Sequence, residues 1–404
     1  MGEESRHVRR AVVRDGSPAA RLSSLTLELT ERCDNACIHC CIALPAGDRA
    51  ARARELDTAR IVDICAQAAE LGCLDVRLTG GEPLLRPDFD AIYMGARRLG
   101  LRVTLFTNAR RVTPRLAELF ARVPPLKPIE VTVYGMHRES YEAVSRVPGS
   151  FAQFRRGVDL LAAAGVPLVV KGAVLPPNRH ELEELEEWAA GLPGPGEAGG
   201  SSMFFDLRHR RDDPAANARI AALRVTPDDA VGILTRRPDE FLSESFRFLR
   251  SFTGPPGDRL FRCGAGHTVA VDAYGWVQPC LLLRDPALCV QLGDRAAGVG
   301  PTLADALVRF RGLGGMAAAD PEYLARCARC FLKGFCEQCP AKSWAEHGTL
   351  DRPVEYLCDV THAQARRLGL LGPGERAWEV EDWRERIAAA GDGAEKVHDD
   401  GGTV

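Results

Sequence analysis

Residues 25–41 read LTLELTERCDNACIHCC. LTLEL (25–29) has the composition and alternation of a β-strand. Cys33, Cys37, Cys40 and Cys41 follow within nine positions. Cys33, Cys37 and Cys40 are spaced C-x3-C-x2-C directly after the strand. Three thiolates suit three irons of a [4Fe–4S] cluster and leave the fourth iron open to chelate a substrate or cofactor. A structural zinc ion is the other reading of this loop, with His39 or Cys41 as its fourth ligand.

The pattern around that strand repeats. LDVRL (74–78), LRVTLF (101–106), IEVTV (129–133), VPLVVKGAV (166–174) and MFFDL (203–207) also read as strands, with helical patterns between them. Ile61, Ile64, Cys65, Ala68 and Leu71 fall on one helix face, as do Phe89, Ile92, Tyr93, Ala96 and Leu99. Thr113-Pro114 reads as an N-cap followed by a first-turn proline, and Ser150 and Asn178 read as caps. Six strands alternating with helices predict an α/β fold with parallel strands, a partial (β/α)6 TIM-like barrel or a doubly wound sheet. Chemistry then belongs at the C-terminal ends of the strands.

The chain has 404 residues, 46% of them hydrophobic and 26% charged, with 52 basic against 55 acidic residues and a net charge of −3. No long basic block points to nucleic acid. No apolar run of about eighteen residues predicts a membrane span, and no signal peptide is visible. The expected location is cytoplasmic, where thiols stay reduced. Fourteen cysteines in that setting point to metal ligation rather than disulfides. Five segments are expected: an N-terminal tail (1–24), the barrel (25–210), a helical bridge (211–262), a cysteine-rich iron–sulfur domain (263–360), and a C-terminal helix with a disordered tail (361–404).

The cysteine loop and the motifs after it resemble the radical S-adenosylmethionine (SAM) superfamily. The family's signature is C-x3-C-x-φ-C after the first strand, with His39 here at the φ position. TGGEP (79–83) resembles its GGE motif, and FTNA (106–109) its T-N-G, with alanine replacing glycine. The resemblance implies SAM chelated at the open iron and a 5′-deoxyadenosyl radical made with one electron from a low-potential donor such as flavodoxin or ferredoxin. It implies Cys33, Cys37 and Cys40 as cluster ligands, with Gly80, Gly81 and Glu82 at the SAM amino group. His39, Asn108, Thr132 and Lys171 are the further cofactor-binding candidates it suggests. VTVYG (131–135) lacks the aspartate that relatives often use for the ribose. Arg146 reads as either a carboxylate contact or a solvated helix-end residue. Asp206 and Arg208 share one strand face and are expected to line the cavity.

The C-terminal spacing is Cys263-x16-Cys280, then Cys327-x2-Cys330-x5-Cys336-x2-Cys339, then Cys358. Two CxxC pairs alone suit a zinc ribbon, but seven cysteines do not divide into fours. The pattern resembles the SPASM extension of radical SAM enzymes, one residue short in its last interval. That resemblance implies two auxiliary [4Fe–4S] clusters, for three in all. Cys327, Cys330, Cys336 and Cys358 would hold the distal one. Cys263, Cys280 and Cys339 would hold the nearer one, with an open iron or Cys289 as fourth ligand. Cys65 and Cys73 read as core residues.

SPASM enzymes mostly modify peptides or proteins, so a peptide or protein substrate undergoing maturation is expected. With only about 24 residues before the first strand, either a separate leader-peptide-binding protein or direct docking of the peptide is expected, the first as for enzymes resembling the pyrroloquinoline quinone and mycofactocin maturases. Formylglycine formation in sulfatases and a haem-pathway decarboxylase remain alternatives. A non-catalytic zinc or electron-transfer protein is a remote one.

Overall fold

The computed structural model describes residues 21–42, 44–194, 200–205, 207, 213–251, 254–263 and 265–390. Strands β1 (Ser24–Glu28), β2 (Asp75–Thr79), β3 (Arg102–Thr107), β4 (Ile129–Thr132), β5 (Leu168–Ala173) and β6 (Gly200–Phe204) lie side by side in chain order. Every neighbouring pair among them is parallel. Parallel strands need long crossovers. Helices α1 (Thr58–Glu70), α2 (Phe89–Arg98), α3 (Pro114–Arg122), α4 (Arg138–Ser145), α5 (Ser150–Ala163) and α6 (Leu182–Ala190) supply them.

The alternation along each strand divides its two faces. Leu25, Leu27, Val76, Leu78, Val103, Leu105, Val131 and Val170 are fully buried, as are Ile61, Ile64 and Ile92 on the helices. Each such side chain contributes about 1.5–3 kcal/mol on burial. The alternate strand positions hold Glu28, Arg77, Phe106, Glu130, Thr132 and Lys171. All six strands run the same way, so their C-terminal ends share one end of the sheet, where the cysteine loop leaves β1.

Side-chain caps set the starts of two of these helices. Asp57 caps α1 and Thr113 caps α3, each accepting a backbone N–H with its side chain. Ser150 instead opens α5 behind Gly149 and hydrogen-bonds Ser145. Asn178 lies three residues before the cap of α6. Its amide donates to the carbonyls of Tyr134 and Ala173, joining the ends of β4 and β5.

The sheet does not stop at six strands. β7 (Thr268–Val271) pairs in parallel with β1, and β8 (Trp276–Gln278) and β9 (Val290–Gln291) continue antiparallel. The order is β9-β8-β7-β1-β2-β3-β4-β5-β6. Asp272 makes the β7–β8 turn, its carboxylate accepting from the N–H groups of Tyr274 and Trp276 at 2.9 Å. Residues 263–360 are therefore divided rather than forming one domain. Cys263–Leu313 belongs with the strands, whereas Arg224–Arg262 joins the chain from Gly314 onward in a second unit.

That second unit is mostly helical, with Pro227–Leu234, Pro238–Ser251, Pro340–His347 and Glu355–Arg367 as its longer helices. It has an apolar core of its own. Phe331, Leu332, Leu370 and Leu371 are buried together, with Phe248, Phe335, Trp378 and Trp383 packed against them. The helix at 355–367 spans the expected boundary at 361. The expected tail after residue 390 and the expected N-terminal tail up to residue 20 lie outside the described residues.

Candidate active site

The cysteine loop is held by the turn that follows β2. Gly81 donates to the carbonyl of Thr30 at 2.7 Å and Glu82 to that of Arg32 at 2.9 Å. Gly80 has φ +132°, and a Cβ there would lie 2.2 Å from the Thr30 oxygen. A Cβ on Gly81 would lie 2.3 Å from the Arg32 oxygen. The two glycines thus admit the backbone of the cysteine loop itself, in the place where the sequence suggested a ligand. Arg32 anchors the same loop, its guanidinium forking on Glu55 at 2.8 and 3.0 Å.

Cys33, Cys37 and Cys40 are all partly exposed. Asn35 donates its N–H to the Cys33 sulfur at 3.4 Å, and Cys40 donates its own to the Cys37 carbonyl at 3.0 Å. Burial pushes the Cys37 thiol up to about 12, with Cys40 adding to the shift. Burial raises Cys33 further, and Glu82, Cys37 and Cys40 add to it. Three thiolates in one low-dielectric site are costly without a cation, and bound iron would relieve that cost. The donor set and its spacing therefore fit an iron–sulfur cluster. Among the described residues, no three His, Cys, Asp or Glu side chains converge as a single metal ion would require.

His39 packs edge-on against Tyr134, with ring centroids 5.8 Å apart. Burial lowers its pKa to about 4, so the ring is neutral at neutral pH and fills an aromatic position. Its Nδ1 is buried without a partner. Tyr134 is buried too and hydrogen-bonds the Cys37 thiol.

Glu82 is fully buried. One carboxylate oxygen accepts from Leu84 N at 3.0 Å and Thr107 Oγ1 at 2.8 Å. The other accepts from Asn108 N at 2.8 Å. Burial pushes its pKa up to about 7, opposed by those hydrogen bonds. Glu82 therefore ties the β2 and β3 loops together. Asn108 donates through its side chain to Asp34 at 2.8 Å and lies 3.9 Å from the Cys33 sulfur.

Arg110, which motif reading missed, completes this frame. Its guanidinium reaches the Asp34 carbonyl, the Asn35 side chain at 2.5 Å, and Gln153 on α5 at 2.7 and 2.9 Å. Asp34 also takes Arg111 at 2.8 Å. Between Asn108 and Arg110, Ala109 holds φ +60°, where relatives of the T-N-G motif have glycine. A left-handed alanine costs about 1–2 kcal/mol, part of which glycine's larger unfolded-state entropy takes back. Ala109→Gly should therefore raise stability by up to about 1 kcal/mol, read as a higher denaturation midpoint.

The remaining barrel candidates have these surroundings. Thr132 ends β4 in register with Lys171 on β5. Lys171 pairs with the Glu130 carboxylate and stands 5.0 Å from the centre of the Phe106 ring. Its charge is thus balanced from a neighbouring strand. Arg146 is exposed in a left-handed cap that ends α4. Asp206 and Arg208 lie outside the described residues. Cys65 and Cys73 are core thiols with no exposure.

In the strand unit, Cys263 is exposed and Cys280 partly exposed. Arg284, four residues after Cys280, forks on buried Glu28 at 2.6 Å, fixing the loop after β8 to β1. Burial pushes the Cys289 thiol up to about 11, with Asp272 and Asp285 adding to the shift.

In the second unit, Cys327, Cys330, Cys336 and Cys358 line one cavity with Arg326, Lys333, His362 and Trp378. Four thiols around a cavity, rather than around a point, fit a cluster. Cys339 is not on its wall and caps the helix Pro340–His347.

Residues 27–189 match the model of the radical SAM superfamily. The AdoMet-dependent heme synthase of Methanosarcina barkeri is 28% identical over 340 residues, covering 80% of this chain and 92% of that protein. The PqqA peptide cyclase of Methylocella silvestris is 31% identical over 168 residues, covering 42% of this chain and 44% of that protein. The chain thus spans less than half the length of that cyclase. In fold, it is similar to Streptococcus suis SuiB bound to its precursor peptide SuiA. The TM-score is 0.59 at 15% identity, covering 88% of this chain and 79% of that one. Residues 27–189, which carry the cysteine loop and TGGEP, thus match the radical SAM superfamily as a domain within this chain.

Proposed function

We propose that the protein cleaves SAM reductively and uses the resulting radical to modify a ribosomally made peptide. The observation that carries the chemistry is the cysteine loop clamped under TGGEP, with Glu82 buried beside it. Cys33, Cys37 and Cys40 hold the cluster and leave one iron for SAM. Bound there, cluster and SAM supply a 5′-deoxyadenosyl radical for hydrogen abstraction. The chain's own part is to fix that loop through Arg32, Asn108 and Arg110, and to present Glu82 to the SAM ammonium group. Cys327, Cys330, Cys336 and Cys358 would hold the distal auxiliary cluster. A low-potential donor in the cytoplasm supplies the electron. Among the described residues no helix is long and apolar enough to cross a membrane.

Similarity to a peptide cyclase and a fold shared with a peptide-bound enzyme support the peptide substrate. One observation favours a second reading, haem synthesis: the heme synthase match runs through 92% of that protein. Co-expression with the small open reading frames beside the gene, followed by mass spectrometry, separates the two. A mass change in one encoded peptide supports maturation. Unchanged peptides, with SAM-dependent conversion of an added iron porphyrin carboxylate, support the second.

Glu82 gives a pH prediction. Its carboxyl is neutral below about 7 and ionised above it, and only the ionised form attracts an ammonium group. SAM affinity should rise as pH increases from 6 to 8, and Glu82→Gln should bind about tenfold more weakly with a flat profile. Stability moves the other way. An acid whose folded pKa is raised loses stability between its ordinary value and the raised one, here from 4.5 to about 7. A pH-independent SAM affinity in the wild type would count against the ammonium contact.

A further inference from the structure

Arg326 lies on the wall of the cavity in the second unit. Arg326 donates through Nη2 to the Cys358 sulfur at 3.5 Å. The same guanidinium is fixed by Glu355 at 2.7 and 2.9 Å and by Glu322 at 2.7 Å. It lies over the Trp378 ring, 4.7 Å from its centre. Its Nε is buried without an acceptor.

Two other polar groups lie on this wall. Lys333 turns its ammonium to the Gln338 carbonyl. His362 accepts from Ala377 N through Nε2 at 3.2 Å, so its Nδ1 carries the hydrogen and faces both the Cys358 carbonyl at 2.8 Å and the Cys358 sulfur at 3.5 Å, as a neutral donor. Arg326 is therefore the cationic donor aimed at a thiol of this cavity.

We propose that Arg326 sets the reduction potential of the cluster held by Cys327, Cys330, Cys336 and Cys358, raising it through the N–H···S bond to Cys358 and its fixed positive charge. This rests on the distal-cluster assignment made above. Reduction adds one negative charge to a cluster, so a nearby cation and N–H···S bonds stabilise the reduced form more than the oxidised form. The Glu355 carboxylate opposes the effect. Its side chain is 61% exposed and screened by water, against 16% for Arg326.

The test is an anaerobic redox titration followed by electron paramagnetic resonance, on the full chain reconstituted with iron and sulfide. The Cys33→Ala/Cys37→Ala/Cys40→Ala background removes the loop cluster's signal. The distal signal is the one that Cys327→Ala/Cys330→Ala abolishes. Arg326→Met should lower its potential so that the reduced-to-oxidised ratio at fixed potential falls about tenfold, which is ~59 mV for one electron. Arg326→Lys should fall less, and Glu355→Gln should shift the potential upward. Opposite signs for Arg326→Met and Glu355→Gln distinguish charge from general damage to packing. An unchanged or raised potential in Arg326→Met overturns the proposal, as does a Glu355→Gln shift in the same direction. If Arg326→Met fails to take up iron, the Arg326→Lys and Glu355→Gln shifts decide. No distal signal in the parent would overturn the cluster assignment itself, a separate outcome.

Discussion

The Cys33→Ala/Cys37→Ala/Cys40→Ala protein should form no 5′-deoxyadenosine from SAM and should carry about four irons fewer per chain than the wild type. The loop offers these three thiols together, within a frame that does not depend on them. Arg32 is held by Glu55, Gly81 and Glu82 hold the loop backbone, and Arg110 holds Asp34 and Asn35. Alanine at the three positions removes iron ligands while leaving those bonds, so the protein should fold. The C-terminal cysteines are unaltered, and the rest of the iron should stay. Persistent 5′-deoxyadenosine formation would mean that another cysteine set serves SAM. Loss of all iron would mean that the C-terminal cysteines hold none.

The second large effect concerns the thiol-lined cavity. Cys327→Ala/Cys330→Ala should also remove about four irons, with the loop cluster intact. Cys330 is 8% exposed and belongs to the apolar core that includes Phe331 and Leu332. Binding energy for a metal group that forms only in the folded state is folding energy. The variant should therefore unfold at lower temperature, by roughly 4 °C for each kcal/mol lost. Calorimetry and an iron assay on the same sample check both halves. Full iron retention would sink the assignment, and zinc in place of iron in the wild type would replace the cluster with a structural ion.

The parts of this site that depend on local spacing were legible. C-x3-C-x2-C after LTLEL, TGGEP after β2 and FTNA after β3 can each be seen within a few residues. Five strands were visible in place because each has its own apolar pattern and helical partner; the sixth, expected at 203–207, runs Gly200–Phe204, where GSSMF carries little apolar pattern. The partners of those motifs were not legible. Gly80 and Gly81 meet Thr30 and Arg32 only because β1 and β2 are neighbours. Arg110 looks like an ordinary loop arginine until α5 brings Gln153 to it. The half-buried Lys171 of β5 drew attention alone, yet its counter-charge, Glu130, sits one strand away. TVAVDAYGWVQ (268–278) carries a hairpin pattern, but the cysteine spacing around it pointed to a different boundary. Its pairing with β1 is long-range and leaves no local mark.

The loop after β1 should by itself decide whether this chain cleaves SAM. The direct measurement is 5′-deoxyadenosine released when anaerobically reconstituted protein is mixed with SAM and dithionite. The product should form with the wild type and with Cys327→Ala/Cys330→Ala, and not with the loop triple variant. No product from wild-type protein with its full complement of iron would contradict this.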